Sequence, residues 1–492
     1  MNWKSILSRL PGGSPLPPLP EPFLFGVATS DHQCEAYKAE CEDIRDVWER
    51  ERGLTRRGKA TNFEELFEQD IRLAQKLGCT AFRFSLAWSR LEPSPGQFDE
   101  AMFDHYRRLV TAIHKAGLEP VLTLHHFTWP VHVERRGGMI ADDFPAMFAH
   151  YTAEVVARLG QEVRYWITFN EPSQLVYGYI KPWWEPNYFV PPGLPEGATL
   201  NEQVAAIGKL IRNLFVAHTQ ARQIIQRGNP EAQVGANPLL LGLPVWLQRL
   251  LNWNATRIRS YADLQKSYRH YVEPGQLERG AVDVAMAALT RTPLKQYTIF
   301  STMLVSNWWH LGMAGRLAEF LCPRECVGQQ DFVGLDYYWG IHSLRLDRLQ
   351  RLIDAGLGRF DRAPVWPKAL YGHLRYQASL FPHLPLLIAE NGSVDVADGI
   401  DRATYIRQHI EQVQRAVRDG VNVVGYICWS ITSNREWGHP FDKSSDFGLY
   451  HIELDKDPDL KREPTPSAAV YKEIIAQRGM HGLATQGATH LQ

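Results

Sequence analysis

The sequence predicts an α/β fold, a barrel in which eight parallel strands alternate with helices, and three observations support it. Strand-like and helix-like segments alternate along the whole 492-residue chain, which is typical of parallel βα units. The strand-like segments number eight, the count that closes such a barrel. Two short acidic motifs each stand where a strand-like run breaks into a Pro or Gly turn. The carboxyl ends of the strands form one rim, so both motifs are expected there.

Each predicted strand is a short apolar run bounded by turn residues. In chain order the strands are predicted at residues 23–29, 81–88, 120–127, 164–170, 233–239, 331–338, 386–390 and 423–429. These strands define a single (β/α)8 TIM barrel with rim insertions, because no change of composition indicates a second domain. The long connection at about 240–330 is the largest of the predicted insertions.

The predicted helices carry start and stop signals. Asn62 is predicted to cap a helix with Glu65 at the capping-box position, and Gly78 is predicted to end that helix. Four further helices, each bounded by Gly or Pro, are predicted at residues 103–116, 144–159, 405–418 and 467–477.

The composition excludes several classes of protein. With 45% hydrophobic residues, 53 basic and 54 acidic residues, the chain can form a large core and has no global attraction for nucleic acid or anionic membranes. No apolar run is long enough to span a bilayer. Lys4 and Arg9 interrupt the only apolar stretch of the first ten residues, so no secretory signal is expected.

The cysteines favour a cytoplasmic location. They occur at unrelated spacings, and the one close pair has a C-x3-C gap without a second pair to complete a zinc site. Free, reduced thiols and no metal are therefore expected at Cys34, Cys41, Cys79, Cys322, Cys326 and Cys428.

The two acidic motifs predict a chemistry. The first is T-F-N-E-P, residues 168–172, and the second is I-A-E-N-G, residues 388–392. Two carboxylates brought to one rim from distant strands are what the cleavage of a glycosidic bond requires. Either motif alone is more simply explained as turn chemistry, because Asn, Gly and Pro favour strand exits. In matching strand contexts, the two together favour catalysis by Glu171 and Glu390.

Several further motifs follow one another in a recognisable order. They are F-L-F-G-V-A-T-S at 23–30 followed by Gln33 and Glu35, F-R-F-S at 82–85, W-S-R at 88–90, H-H-F at 125–127, D-F-V-G-L-D-Y-Y at 331–338, and W-S at 429–430 leading to N-R-E-W at 434–437. The series resembles glycoside hydrolase family 1, retaining β-glucosidases and β-galactosidases on a TIM barrel, from residue 23 to about 477. The resemblance implies an exo-acting, β-glucosidase-like enzyme that acts on a small-molecule β-glycoside without a cofactor.

The resemblance also implies roles for the two glutamates. Glu171 matches the general acid and base, and Glu390 matches the nucleophile that forms a covalent glycosyl-enzyme. In a retaining site their carboxyl groups lie about 5 Å apart, and the acid needs a raised pKa. Arg83 and Tyr338 match the residues that hold the nucleophile.

Further matches concern the sugar. Asn170 matches the donor to the 2-hydroxyl, and Trp429 matches the aromatic platform beneath the ring. The remaining hydroxyls are matched by Gln33, His126, Glu436 and Trp437. Each of these residues alone is more often structural, as core aromatic, scaffold ion pair or interior histidine, and only their joint occurrence with the two glutamates favours function.

Some positions restrict the substrate or depart from the family. Glu436 would repel a sugar 6-phosphate, so a phosphosugar hydrolase is disfavoured. Asp336 stands where the family usually has Asn, Phe127 stands for Trp, and Ala36 for Gly. The stretch 439–447 is longer than usual and carries Asp446 where Arg is common.

The predicted entrance to the site is unusually apolar. The aromatic residues after Glu171 and an insertion rich in Leu and Trp predict either an apolar aglycone channel or the internal packing of long loops. The residues concerned are Tyr177, Tyr179, Trp183, Trp184, Tyr188, Phe189, 239–247, Leu250, Leu251 and Trp253. A stripe of Trp3, Ile6, Leu7 and Leu10 predicts a terminal helix on the barrel or a membrane-surface contact.

Three hypotheses from different classes remain on the sequence alone. They are a retaining β-glycosidase, a transglycosylase or glycolipid-processing relative with an apolar acceptor or aglycone, and a sugar- or lipid-binding protein without turnover. In each case residues 1–20 are predicted as a Pro-rich lead-in, 21–479 as the glycosidase domain and 480–492 as a loose tail.

Overall fold

The predicted barrel is present. The computed structural model describes residues 16–179, 194, 198, 200–247, 309–314, 322–356 and 358–480. Its strands are β1 Leu24–Ala28, β2 Ala81–Ser85, β3 Glu119–His125, β4 Tyr165–Asn170, β5 Gln233–Asn237, β6 Leu239–Gly242, β7 Val333–Gly340, β8 Leu386–Asn391 and β9 Val423–Cys428. They form one sheet in the order β5-β4-β3-β2-β1-β9-β8-β7-β6, and every pairing between neighbours is parallel.

The nine strand segments form an eight-stranded barrel because β5 and β6 are two halves of one strand. Pro238 separates them, and a proline has no backbone N–H to offer the ladder. The first half pairs with β4 and the second with β7, so the sheet closes on itself. Across the junction Asp336 N donates to Pro238 O at 3.2 Å and Asp331 N to Val234 O at 2.8 Å. The prediction that the insertion begins at about residue 240 is wrong, since the strand runs to Gly242.

Helices surround the barrel. Those of eight or more residues in the described chain are α1 Ile44–Glu51, α2 Phe63–Leu77, α3 Glu100–Lys115, α4 Phe144–Leu159, α5 Leu200–Gly228, α6 Leu346–Gly356, α7 Pro367–Leu380, α8 Arg402–Arg418 and α9 Pro466–Gln477. Helix α3 begins before its predicted start because the side chain of Asp99 accepts hydrogen bonds from Ala101 N and Met102 N. A small antiparallel pair, Tyr450–His451 and Glu463–Pro464, lies outside the barrel.

One predicted cap is wrong. Asn62 precedes α2 in a left-handed conformation, with φ 52°, and its side chain makes no capping hydrogen bond. A reciprocal capping box occurs instead at α1, where Asp43 Oδ1 accepts from Asp46 N at 2.9 Å and Asp46 Oδ2 accepts from Asp43 N at 3.1 Å. Sequence alone favoured Asn62 because Asn suits both the cap and the left-handed position.

The described part of the lead-in is packed on the barrel. Leu19 is buried, its N–H donates to Arg478 O at 2.7 Å, and Pro17 O accepts from Gln414 Nε2 at 2.8 Å. Residues 1–15 and 481–492, with the predicted apolar stripe, lie outside the described residues. Within the described chain, no helix is both long and apolar enough to cross a membrane.

Candidate active site

Three buried carboxyl groups meet at the rim of the barrel. Glu171 directly follows β4, Asp336 lies in β7 and Glu390 lies in β8. One oxygen from each lies within 4.8 Å of the others. Parallel strands bring their carboxyl ends to one edge, which is why residues so far apart in sequence come together. The spacing of Glu171 and Glu390 agrees with that of a retaining site.

Both oxygens of Glu390 are bound. Arg83, fully buried in β2, donates from Nη1 to Glu390 Oε1 at 2.5 Å and to Ala389 O at 3.0 Å. Tyr338, in β7, donates its hydroxyl to Glu390 Oε2 at 2.6 Å. A cation and a hydroxyl thus orient this carboxyl group from two sides.

Glu171 has a different environment. Burial raises the pKa of its carboxyl group well above the usual 4.5, and the negative charge of Glu390 raises it further, against the opposing effect of Arg83. The raised pKa favours the protonated form of Glu171. Its φ of 38° is left-handed, as are those of Phe127 at 68° and Trp437 at 34°. Such strained backbone in residues other than glycine concentrates at functional sites.

Asp336 is the third member of the cluster and is fully buried. Its Oδ2 accepts from Asn237 Nδ2 at 2.5 Å, and its Oδ1 has no hydrogen-bond partner in the described part of the chain. Burial raises its pKa well above 3.8, and the negative charges of Glu390 and Glu171 add to the rise. These effects favour a neutral carboxylic acid at this position.

Asn237 was not predicted as a site residue. Its Nδ2 also donates to Asn170 Oδ1 at 2.7 Å, so one amide joins β4 to β7 across the junction of the barrel. The signal was present in the sequence, because Asn237 stands near the end of a predicted strand as Glu171 does. It carries no distinctive motif, and position alone does not separate it from an ordinary turn residue.

The orientation of Asn170 is fixed by its neighbours. Its Oδ1 accepts from Arg83 Nη2 at 2.6 Å and from Asn237, so its Nδ2 is directed elsewhere and lies 3.3 Å from His126 Nε2. Burial lowers the pKa of His126 well below 6.5, so the ring is neutral. Since Nε2 faces a donor, the proton of His126 resides on Nδ1.

A row of nearly parallel rings lines the site. His126 stacks on Trp429 at 5.8 Å and 19°, and on Trp437 at 5.9 Å and 14°. Trp437 stacks in turn on His32 at 5.8 Å and 11°, and Phe127 meets the edge of Trp437 at 5.1 Å and 84°. The row holds the planes of both predicted sugar-binding tryptophans, and His32 is a member that the sequence did not reveal.

Two polar residues complete the predicted set. Burial raises the pKa of Glu436 to about 8, while hydrogen bonds from Trp429 and Gln33 oppose the rise. Trp429 Nε1 lies 3.4 Å from Glu436 Oε1. Gln33 Oε1 accepts from Ser30 Oγ at 2.7 Å, and its Nε2 donates to Asn434 Oδ1 at 3.0 Å. The structure therefore brings all the predicted site residues into one contact network.

The apolar entrance is only partly as predicted. Leu239–Gly242 form β6 and are buried, and Tyr179 belongs to the core, so these residues pack internally. Val245 and Trp246 are 60% and 59% exposed. The side chain of Tyr177 and residues 183, 184, 188, 189, 250, 251 and 253 lie outside what the structure describes.

Asp446 has a structural environment. Its carboxylate accepts from Ser433 Oγ and Gly448 N, each at 2.9 Å, and meets His451 Nδ1 at 2.6 Å. These bonds tie together the loop that follows β9.

Two clusters in the described chain have a spacing that a metal ion could use. One is the trio of rim carboxyl groups, which already contains the cation of Arg83. The other is His32, Asp43 and Asp46, where Arg57 donates to Asp46 Oδ2 at 2.5 Å. In both clusters a guanidinium supplies positive charge to the carboxylates.

A TIM barrel with paired carboxyl groups at its rim is an arrangement found in glycoside hydrolases. A model of the family described as Glycosyl hydrolase family 1 matches residues 17–241 and 358–480, well over half of the chain. This chain belongs to glycosyl hydrolase family 1 and is a glycoside hydrolase. The residues between the two matched segments include the rim insertion.

Characterised relatives resemble the chain along most of its length. Beta-glucosidase 16 from Arabidopsis thaliana is 26% identical, over 94% of this chain and 91% of that protein. The Cytosolic beta-glucosidase of Homo sapiens is 28% identical, over 84% of this chain and 87% of that protein. The structure of the beta-glucosidase from Thermotoga maritima in complex with glucoimidazole has the same fold, with a TM-score of 0.68 at 21% identity, covering 94% of this chain and 99% of that one.

Proposed function

We propose that this protein is an exo-acting, retaining β-glucosidase that hydrolyses β-O-glycosidic bonds through a covalent glycosyl-enzyme. The observation that carries the proposal is the pair of Glu171 and Glu390, whose carboxyl oxygens lie within 4.8 Å at the barrel rim in unequal environments. That separation leaves no room for a water between sugar and nucleophile, as an inverting enzyme needs. The beta-glucosidase names of the relatives support glucose as the glycone.

In the first step a carboxylate oxygen of Glu390 bonds to the anomeric carbon. The bond from that carbon to the aglycone oxygen breaks, and the leaving oxygen takes the proton of Glu171. Arg83 and Tyr338 aim Glu390, because each holds one of its oxygens. The raised pKa of Glu171 favours the protonated form that donates this proton.

In the second step Glu171, now a carboxylate, takes a proton from water. The water oxygen bonds to the anomeric carbon, and the bond to Glu390 breaks, which regenerates both starting groups. As the glycosyl-enzyme forms, Glu390 becomes a neutral ester, which removes the main neighbouring charge that raised the pKa of Glu171. This loss makes the ionised, basic form of Glu171 accessible when the second step needs it.

The remaining residues position the sugar in this proposal. Asn170 directs its amide nitrogen to the 2-hydroxyl, since its oxygen is held by Arg83 and Asn237. Trp429 lies beneath the ring as a platform. The other hydroxyls are read by Gln33, His126, Glu436 and Trp437, which the ring stack and the polar contacts hold in place.

The stereochemistry of the product tests the proposal. Proton NMR during rapid hydrolysis of an aryl β-glucoside should show β-glucose before mutarotation produces the α-anomer. A matched aryl α-glucoside should not be cleaved, and the matched β-galactoside measures glycone preference. Initial release of α-glucose would contradict the retaining mechanism. Absence of turnover on every aryl β-glycoside would contradict the proposal that the protein is a β-glycosidase.

A second candidate function is the processing of glycosides with an apolar aglycone or acceptor. The exposed large apolar side chains of the described chain all follow the adjacent strands β6, β7 and β8, on the rim that carries the carboxyl groups. They are Val245, Trp246, Leu344, Leu346 and Val396. Exposed apolar side chains on this rim favour the binding of an apolar group there. An apolar acceptor bound there would favour transfer of the glycosyl group over hydrolysis, which product analysis with an added long-chain alcohol distinguishes.

We also propose a cytoplasmic location for the enzyme. The six free cysteines support it, because oxidising compartments favour disulfides. Protein that is denatured and alkylated at the moment of isolation, without prior reduction, should carry six alkyl groups by mass spectrometry. Fewer groups, with cysteine pairs linked in peptide maps, would contradict this location.

A further inference from the structure

A cavity lies on the barrel outside the carboxyl cluster. Its volume is about 360 Å³, and it lies between residues 55–60, which follow α1, and the loop after β9. The loop contributes Arg435, which directly precedes Glu436 of the proposed glycone site. Thr55 N donates to Gly438 O at 3.0 Å, so the two walls are bonded to each other. The cavity therefore lies next to the segment that carries Glu436 and Trp437.

The lining of this cavity carries more basic than acidic side chains. Four cationic side chains, Arg56, Arg57, Lys59 and Arg435, face a single acidic one, Asp455. Acids outside the lining pair with two of the cations: Glu42 lies 3.7 Å from Arg56, and Asp43 and Asp46 lie 3.6 and 2.5 Å from Arg57. Arg435 Nη2 binds Asp455 Oδ1 at 2.5 Å, and the side chain of Asp455 is 58% exposed. Asp455 therefore lies at the mouth of the cavity, while the cationic side chains line its walls.

Some side-chain nitrogens of the arginines in this lining are buried without a hydrogen-bond partner in the described chain. The side chains of Arg57 and Arg435 are only 2% and 8% exposed, and the Nε of each has no hydrogen-bond partner in the described chain. Nε of Arg56 is likewise buried without one. An ion pair with Asp46 orients the guanidinium group of Arg57. A buried charged donor without an acceptor is unfavourable, and an anion in the cavity would satisfy it.

We propose that this cavity binds a phosphate dianion, either inorganic phosphate or the phosphate of a small ester. Guanidinium groups match the oxygens of phosphate in pairs, and Lys59 adds a mobile point charge at the entrance. The volume exceeds what one phosphate ion fills, and Leu454 and Pro440 offer an apolar wall to the organic part of an ester. The site does not touch the rim carboxyl groups, and its binding does not depend on the proposed glycosidase function.

Calorimetry with the full chain tests the proposal. Inorganic phosphate and glycerol 2-phosphate are titrated separately, with glycerol and sodium chloride as controls. Saturable binding of one equivalent of either phosphate compound supports the proposal, and comparison of the two identifies the source that the cavity prefers. No saturable heat with either compound up to tens of millimolar would overturn it.

Two variants with opposite expected effects on phosphate affinity make the test specific. Arg56→Gln together with Lys59→Gln removes cations from the less buried part of the wall and should weaken binding about tenfold or more. Asp455→Asn removes the competing carboxylate and should tighten binding. Arg72→Gln, an exposed residue of α2 paired with Glu68, is the control and should change nothing. If the control weakened binding as much as the cavity variant, the effect would be one of overall charge and the site would be refuted.

Discussion

The carboxyl groups of Glu171 and Glu390 lie within 4.8 Å of each other although they arrive on strands β4 and β8, and their partners differ. Arg83 and Tyr338 hold Glu390, whereas burial and the charge of Glu390 raise the pKa of Glu171. In the proposed mechanism Glu390 attacks and Glu171 delivers a proton.

Glu390 should be labelled covalently by a 2-deoxy-2-fluoro β-glucoside with a good leaving group. The fluorine slows both steps and the good leaving group restores the first, so the glycosyl-enzyme accumulates. Peptide mapping by mass spectrometry should place the adduct on residue 390. An adduct on Asp336 or Glu171, in a preparation that turns over normal substrate, would show that the nucleophile has been misassigned.

Replacement of Glu171 by Gln should affect substrates according to their leaving groups. Glycosides with poor leaving groups need protonation in the first step and should lose about 100- to 10,000-fold in kcat/KM, whereas activated aryl glycosides should lose far less. Added azide should rescue the activated substrates, because it replaces water without needing a base. Equal losses on both kinds of substrate would mean that Glu171 does not act as the acid.

Asp336→Asn should move at least one limb of the pH-rate profile to lower pH. Asp336 gains its negative charge only as pH rises, because its pKa is raised, and that charge then raises the pKa values of the neighbouring carboxyl groups. Its replacement by Asn removes this contribution. Asparagine keeps the shape and can still bond to Asn237. A profile identical to that of the parent enzyme would show that Asp336 has only a structural role.

Glu436→Gln should shift the alkaline limb in the same direction. The charge of ionised Glu436 contributes to the raised pKa of Glu171, and Glu436 itself ionises with a pKa of about 8. Without that charge Glu171 loses its proton at a lower pH, so activity should decline earlier as pH rises. The profile of kcat/KM measures the shift. An alkaline limb that moved upward would contradict the proposed coupling.

Alkyl β-glucosides of increasing chain length should test the apolar rim. Burial of each methylene adds about 0.8 kcal/mol, which is about fourfold in kcat/KM per carbon until the surface is covered. Trp246→Ala and Leu346→Ala should flatten this rise and leave methyl β-glucoside unaffected. If the parent enzyme shows no dependence on chain length, the exposed residues do not bind the aglycone, and a polar aglycone is indicated.

Much of the fold could be predicted because its signals are local. Alternating apolar runs and turn residues indicated the strands to within a few residues, and the Asn-Glu-Pro and Glu-Asn-Gly motifs indicated where two strands end. The division at Pro238 was missed because an apolar run continues on both sides of it. The failed cap at Asn62 has a similar cause, since the same residue type suits two backbone conformations.

The sequence by itself determined the barrel and the family resemblance, and it singled out the two candidate glutamates, because periodicity and motif order are properties of consecutive residues. Tertiary structure alone decided that Asn237 bonds to both Asn170 and Asp336, that His32 extends the stack behind Trp437, and that basic residues from two segments enclose one cavity. It also decided the direction of the carboxyl pKa shifts. Burial and charge act through space, and the distances that set them exist only after the strands have closed into a barrel.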